Sequence, residues 1–216
     1  MKRLLYTSFL AITSVVGSHA TVLIFDDEQS GTLTPAALDT YGDNVTATTQ
    51  GGANYGSAFG WTPDVVVDYT SLPTATTGVS TWWTGYGDLV NVIWGSGPQT
   101  GENTGIVTLT GTATQQVQLH ELDVASWGAG APDAFLRVYD SANTLVYENL
   151  GPFDEVNHDH ITFNNVISEQ IRIEFSQGWW TGLDNIGFSQ TNPIPEPMTM
   201  IGVATLALLA RRRRQR

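Results

Sequence analysis

Acidic and amide side chains stand near both ends of the central part of the sequence. Asp26 and Asp27 follow the apolar run Val22–Phe25, and Asp184 and Asn185 belong to the last such run. Carboxylate and amide oxygens are ligands that Ca²⁺ prefers. If the first and last strands are neighbours, these four residues converge on one cation, and we expect a structural calcium site there. The alternative is that Asp184 and Asn185 cap a turn and that the other two are solvated.

Tryptophan occurs in two adjacent pairs, Trp82-Trp83 and Trp179-Trp180. Successive side chains of an extended chain point to opposite faces, so one ring of each pair can pack inside while its neighbour faces solvent. Aromatic faces stack on the apolar C–H faces of sugars. We therefore predict that Trp83 and Trp180 bind carbohydrate, the alternative being that every tryptophan packs in the core or props a loop.

The segment His158-Asp159-His160 brings two imidazoles to one side of an extended chain. This spacing can hold a transition metal. A solvated polar loop before the next strand explains the same residues and is the interpretation we favour.

Glu121 and Asp123 are the most enzyme-like pair, because alternate strand residues share a face. Glu121-Leu122-Asp123-Val124 resembles the start of the Glu-x-Asp-x-Glu strand of laminarinase-type glycoside hydrolases. The further glutamate of that family is replaced here by Ala125 or Ser126. The sequence also has no cysteine, no Gly-x-Ser-x-Gly and no His-Glu-x-x-His. A non-enzymatic protein is therefore expected, and a surface glycoside hydrolase or lyase acting on polysaccharide is the alternative.

These side chains belong to a strongly acidic body. Residues 21–194 contain 20 acidic residues against two arginines, which gives a formal charge of −18. Such a body repels phosphate backbones, so nucleic acid is excluded as a partner. It attracts cations and stays soluble.

The body, residues 21–192, has the pattern of an all-β protein. Short β-rich runs alternate with clusters of Gly, Asn, Asp, Ser and Thr, which is typical of an antiparallel β-sandwich of the jelly-roll kind. Residues 29–60 are predicted to form a long, partly ordered loop region. The predicted strands are Val22–Phe25, Val65–Tyr69, Leu89–Trp94, Ile106–Thr110, Val117–Val124, Phe135–Tyr139, Leu145–Tyr147, Ile161–Phe163, Ile171–Phe175 and Leu183–Phe188.

Both ends of the chain are predicted to direct transport. Residues 1–20 have a positive start, an apolar stretch and the small-x-small site Ser18-His19-Ala20, as in a secretory signal peptide. Residues 193–216 contain Pro195, Glu196 and Pro197, then the apolar stretch Met198–Ala210. They end in an arginine cluster formed by Arg211, Arg212, Arg213, Arg214 and Arg216.

The apolar stretch spans about 20 Å as a short helix, less than the ~30 Å hydrocarbon core of a bilayer. The positive-inside rule keeps the arginine cluster in the cytoplasm, so the body lies outside the inner membrane.

The ordered tail of proline motif, apolar helix and arginine run resembles the PEP-CTERM sorting signal of bacteria. That resemblance implies processing by an exosortase and delivery to the cell envelope or exterior, with membrane anchoring at least transiently. The body is also similar to a β-sandwich domain common in such proteins. The motifs that carry this second likeness are Ile24-Phe25-Asp26-Asp27, Trp83–Leu89 and Leu183-Asp184-Asn185-Ile186. We therefore expect an exported, non-enzymatic envelope or matrix protein that binds exopolysaccharide. A plain C-terminal membrane anchor is the alternative for the tail.

Overall fold

The computed structural model describes most of the body and neither terminal segment. The described residues are 20–26, 39–55, 61–72, 79–96, 103–112, 114–128, 133–176 and 178–192. The predicted signal peptide, except Ala20, and the predicted sorting tail lie outside them. No helix among these described residues is long and apolar enough to cross a membrane.

The described body contains thirteen strands and, just before the last of them, a short 3-10 turn at Gly178–Trp180. The strands are β1 Thr21–Leu23, β2 Thr49–Gln50, β3 Ala53–Asn54, β4 Val65–Leu72, β5 Val79–Trp82, β6 Val92–Gly95, β7 Thr104–Gly111, β8 Gln116–Ser126, β9 Phe135–Tyr139, β10 Leu145–Leu150, β11 Asp159–Ser168, β12 Gln170–Ser176 and β13 Thr181–Thr191.

Alternation of apolar and polar residues forms these strands, as β12 illustrates. Ile171, Ile173 and Phe175 are fully buried, whereas Arg172 and Glu174 between them are half-buried on the other side. A period of two is the pattern of a strand with one face on a core and one face toward solvent. The alternation therefore fixes which side of β12 faces the core.

Two antiparallel sheets stack face to face, which confirms the predicted all-β sandwich. Sheet A has the order β11-β8-β13-β6-β5, and sheet B has the order β10-β9-β12-β7-β4. The chain changes sheet repeatedly between β4 and β13. Strand β13 pairs with β8 along one side, whereas its other side pairs first with β6 and then with β1. The first and last strands are therefore neighbours, as expected.

The main core fills the space between the sheets. Its fully buried members include Leu109, Leu122, Leu136, Phe175 and Phe188. A second, smaller core lies on the outer face of sheet A, where residues 83–91 fold over the strands. We call these residues the covering loop. This smaller core consists of Tyr86, Leu89, Val92 and Ala125.

The segment from 39 to 55 is more ordered than predicted. It contains the β2–β3 hairpin, and Tyr41 and Tyr55 are buried with their rings stacked at 4.9 Å between centroids. The Tyr41 hydroxyl accepts from the Phe25 amide at 3.0 Å and donates to the Asn54 carbonyl at 2.8 Å. Aromatic burial and these bonds outweigh the turn-forming composition of the segment.

Candidate functional site

The middle of β13 brings three of the four predicted cation ligands together. The pairing of Leu23 with Ile186 places the residues after β1 beside the middle of β13. Asp26, Asp184 and Asn185 consequently line one open cleft of about 440 Å³ on the outer side of sheet A. Asp27 lies outside the described residues. The predicted convergence therefore holds for the three residues that the structure describes.

Asp184 is a buried carboxyl group in this cleft, with 5% of its surface exposed. Burial raises the pKa of Asp184 to about 8, and the nearby carboxylates of Asp123 and Asp26 add to the effect. The backbone amide of Asn185, which has a left-handed φ of 51°, donates to Asp184 Oδ1 at 2.7 Å and opposes the shift. The protonated or cation-bound form of Asp184 is therefore favoured over a bare carboxylate.

Asp26 is half-buried and lines the same cleft. Burial raises its pKa, and a hydrogen bond from the Asn91 side-chain amide opposes this. Asn91 stands at the end of the covering loop, so this loop contributes to the cleft together with β1 and β13.

Three carboxylates and two imidazoles form an alternating row beside the cleft, which we call the acid–histidine ladder. His158 Nδ1 lies 2.8 Å from Asp88 Oδ1, and its Nε2 lies 3.7 Å from Asp123 Oδ1. His160 Nδ1 lies 2.7 Å from the same Asp123 oxygen, and its Nε2 lies 3.7 Å from Glu121 Oε2. The order of the ladder is thus Asp88, His158, Asp123, His160, Glu121.

The ladder is held to β13 and to the covering loop. Asn185 Nδ2 donates to the second Asp123 oxygen at 2.7 Å. The hydrogen bond to Asp88 raises the pKa of His158, since the carboxylate favours the imidazolium form. His158 and His160, whose spacing can hold a transition metal, thus both lie beside Asp123. Among the described residues, no three or more His, Asp or Glu side chains form a group that could hold a metal ion.

An aromatic patch surrounds Trp127, which directly follows the end of β8 in sheet A. The Trp127 ring has its centroid 6.0 Å from Trp82, 5.3 Å from Tyr86 and 6.4 Å from Trp179. Trp82 is 42% exposed and Trp179 is 37% exposed. We call Trp82, Trp127 and Trp179, together with Trp83, which follows Trp82 in the chain, the tryptophan patch.

Tyr86 fixes the covering loop beneath this patch. Its hydroxyl donates to the Trp179 carbonyl, and its ring lies over Gly182. A Cβ atom at Gly182 would lie 2.7 Å from the Tyr86 ring, so only glycine permits this close approach. Gly182 therefore allows the Tyr86 ring, and with it the covering loop, to pack directly on β13.

The two predicted carbohydrate-binding rings differ in their surroundings. Trp83 is the most exposed ring of the patch, at 62%. Trp180 is half-buried and packs against the main core, whereas its neighbour Trp179 faces outward. Each binding role remains a prediction. Trp82, Trp127 and Trp179 were not singled out from the sequence, although the spacing Asp123, Ala125, Trp127 already predicts that Trp127 shares the outer face with Asp123.

Glu121, which the hydrolase alternative requires, and Glu174, a half-buried acid of β12, have imidazole or basic neighbours. Glu121 stands beside His160, and Arg172 Nε donates to Glu174 Oε1 at 2.9 Å on the other sheet. Neither contact is the paired-carboxylate arrangement of a glycosidase.

Comparison with known proteins gives partial likenesses to solved structures. No protein-family model matches the chain, and no curated protein does either. A Podospora anserina GH26-CBM35 β-(1,4)-mannanase is 18% identical over 62% of this chain and 29% of its own, with a TM-score of 0.35. A mutant of a family 29 carbohydrate-binding module is 14% identical over 62% of this chain and 96% of its own, with a TM-score of 0.28. This chain thus spans less than a third of the mannanase. At these TM-scores neither likeness assigns a ligand to it.

Proposed function

We propose that the chain is an exported, non-enzymatic cell-envelope protein whose β-sandwich binds polysaccharide through the outer face of sheet A. One observation carries the proposal: exposed tryptophan rings stand beside a row of carboxylates and imidazoles on the same face. Rings stack on sugar C–H faces, while carboxylates and imidazoles form hydrogen bonds with sugar hydroxyls.

The covering loop joins the two halves of this surface. It begins at Trp83 in the patch, and its Asp88 is the first member of the ladder. A glycan lying along the loop would contact first the tryptophan rings and then the polar groups of the ladder. Ligand sites typically combine an apolar surface with a few fixed polar groups in this way.

Binding of extracted envelope polysaccharide to tryptophan variants tests the proposal. Trp83→Ala and Trp179→Ala should each weaken binding about tenfold, because a lost stacking contact is worth about 1–2 kcal/mol. Trp61→Ala is the matched control, because Trp61 is almost as exposed as Trp83, at 61%. Its neighbour Thr62 forms a hydroxyl hydrogen bond with Thr21, which pairs with Phe188 near the end of β13 that is far from the patch.

If Trp83→Ala, Trp179→Ala and Trp61→Ala all bind the polysaccharide as tightly as the unmodified protein, the proposal is contradicted. Trp180→Ala should weaken binding as well, but its ring packs on the core. Melting curves must therefore separate lost binding from lost stability in that variant.

The sorting function is a second part of the proposal and rests on the tail motifs. Pro195, Glu196 and Pro197 would mark the site read by an exosortase-type enzyme, and Arg211–Arg214 would orient the chain in the inner membrane. Replacing the three motif residues with alanine should leave uncleaved precursor in the inner-membrane fraction. Unchanged delivery to the cell surface would overturn this role.

A structural Ca²⁺ ion in the β1–β13 cleft is a third part of the proposal. Asp26, Asp184 and the side-chain carbonyl of Asn185 line the cleft, and a divalent cation would allow Asp184 to ionise despite its burial. Asp27 stands next in the chain to Asp26 and is the fourth ligand we propose. A melting temperature that does not respond to chelator would contradict this ion.

One observation favours the hydrolase or lyase alternative. Asp184 on β13 pairs with Asp123 on β8, and burial raises the pKa of Asp184 to about 8, as a general acid needs. Release of reducing sugar or unsaturated product from envelope polysaccharide, abolished by Asp184→Asn, would support catalysis. Binding without turnover would support the non-enzymatic function.

A further inference from the structure

The basic side chains of the described body lie on the sheet away from the tryptophan patch. Arg137 stands on β9 and Arg172 on β12, both in sheet B, where they alternate with core residues and face outward. Arg137 Nε is 2.7 Å from Glu148 Oε1, so this cation already has a carboxylate partner. Within the described residues, the outer face of sheet A therefore carries no lysine or arginine.

That same face carries the carboxylates of the acid–histidine ladder. Asp88 is exposed and Glu121 is half-buried. Asp123 and Trp127 are four residues apart on one side of a strand, which is about 13 Å. A glycan that stacks on the tryptophan patch therefore extends over the ladder.

We propose that the polysaccharide recognised by this face carries amino groups, and this inference rests on the proposed polysaccharide-binding function. A protonated amine donates charge-assisted hydrogen bonds to carboxylates, and such bonds are about twice as strong as neutral ones. Asp88 and Glu121 each have one imidazole neighbour, and their remaining oxygen lone pairs can accept hydrogen bonds from an amine of the glycan. The charge of −18 over residues 21–194 further disfavours uronate, sulfate and phosphate groups.

A matched pair of oligosaccharides tests this inference on the full-length protein. Glucosamine hexamer and its N-acetylated counterpart share a backbone and differ in the amine charge. Calorimetry in saturating Ca²⁺ at low ionic strength should give an affinity at least tenfold higher for the amine form. The advantage should shrink at about 1 M salt, where the screening length is about 3 Å.

Charge-neutralising variants assign the preference to the ladder. Asp88→Asn and Glu121→Gln should each reduce the amine preference several-fold, because they weaken binding of the amine hexamer more than binding of the acetylated hexamer. Asp68→Asn is the matched control, because Asp68 is an exposed acid on β4 of sheet B and its replacement changes net charge equally. An equal loss in the control would mean attraction by overall charge and would overturn the inference.

The outcomes separate the two proposals. If both hexamers bind equally, or if the acetylated form or a polyuronate binds better, the amine inference is wrong while polysaccharide binding stands. If the tryptophan variants bind every glycan as the unmodified protein does, the proposed binding surface itself is wrong.

Discussion

Replacing the buried Asp184 by asparagine should remove a pH-dependent loss of stability. In chelator, the folded protein holds Asp184 with a pKa of about 8, against 3.8 for the ordinary aspartate. Ionisation therefore favours the unfolded chain between these two values, so the contribution of Asp184 to stability is greatest below pH 3.8 and falls as the pH rises toward 8. Because each pH unit between these values lowers the free energy of unfolding by about 1.36 kcal/mol, the loss reaches about 4 kcal/mol at pH 7.

The assay is thermal unfolding followed by circular dichroism across this pH range, with chelator and with excess Ca²⁺. A loss of about 4 kcal/mol corresponds to a fall of roughly 8–16 °C in melting temperature for a domain of this size. Asp184→Asn keeps the oxygen that accepts from the Asn185 amide and cannot ionise, so most of the pH slope should disappear. Its melting temperature should also stop responding to Ca²⁺, because the ligand charge is gone.

Asp68→Asn is the control, since this exposed side chain should leave both the pH slope and the Ca²⁺ response unchanged. A wild-type protein whose melting temperature in chelator is flat from pH 5 to pH 8 would refute the reasoning. So would an Asp184→Asn variant that keeps the full slope.

Three further predictions concern the covering loop and the patch. Gly182→Ala should destabilise the protein by about 1–3 kcal/mol in urea unfolding, because its Cβ would lie 2.7 Å from the Tyr86 ring; wild-type stability would contradict that packing. His158 should titrate above its ordinary pKa of 6.5 in NMR, so the stability that its contact contributes is complete below pH 6.5 and is lost as the pH rises through the raised value. Asp88→Asn should lower that pKa, and no change would contradict the contact. Trp127 lies at 72° to Trp82, so the rings present no flat platform and soluble chains should bind better than a crystalline glycan surface; the reverse preference would refute this.

The strand pattern was predictable from the sequence because one face of most strands packs on the core. The alternation in β12 fixes its buried face, and the polar residues Asp140–Thr144 between two predicted strands form a hairpin loop. There Asp140 Oδ1 accepts from the Thr144 amide at 2.8 Å. Strand β5 was missed because Val79–Trp82 is short and has one fully buried residue, Val79.

Only the part of the site that follows from the pairing of the first and last strands was predictable from the sequence. Adjacent terminal strands of a sandwich bring Asp26 to Asp184, and this expectation came from the fold class. The ladder depends on a 70-residue separation between Asp88 and His158, which no local pattern reveals. The choice between Trp179 and Trp180 depends on the 3-10 turn before β13, because the turn breaks the alternation that an extended pair would follow.

Hydroxyl-radical footprinting of the full-length protein, with and without its envelope polysaccharide, tests the binding surface most directly. We predict that Trp82, Trp83, Trp127 and Trp179 become protected while Trp61 stays equally reactive. Protection of Trp61 alone, or no change at the four patch residues under saturating glycan, would contradict binding on the outer face of sheet A.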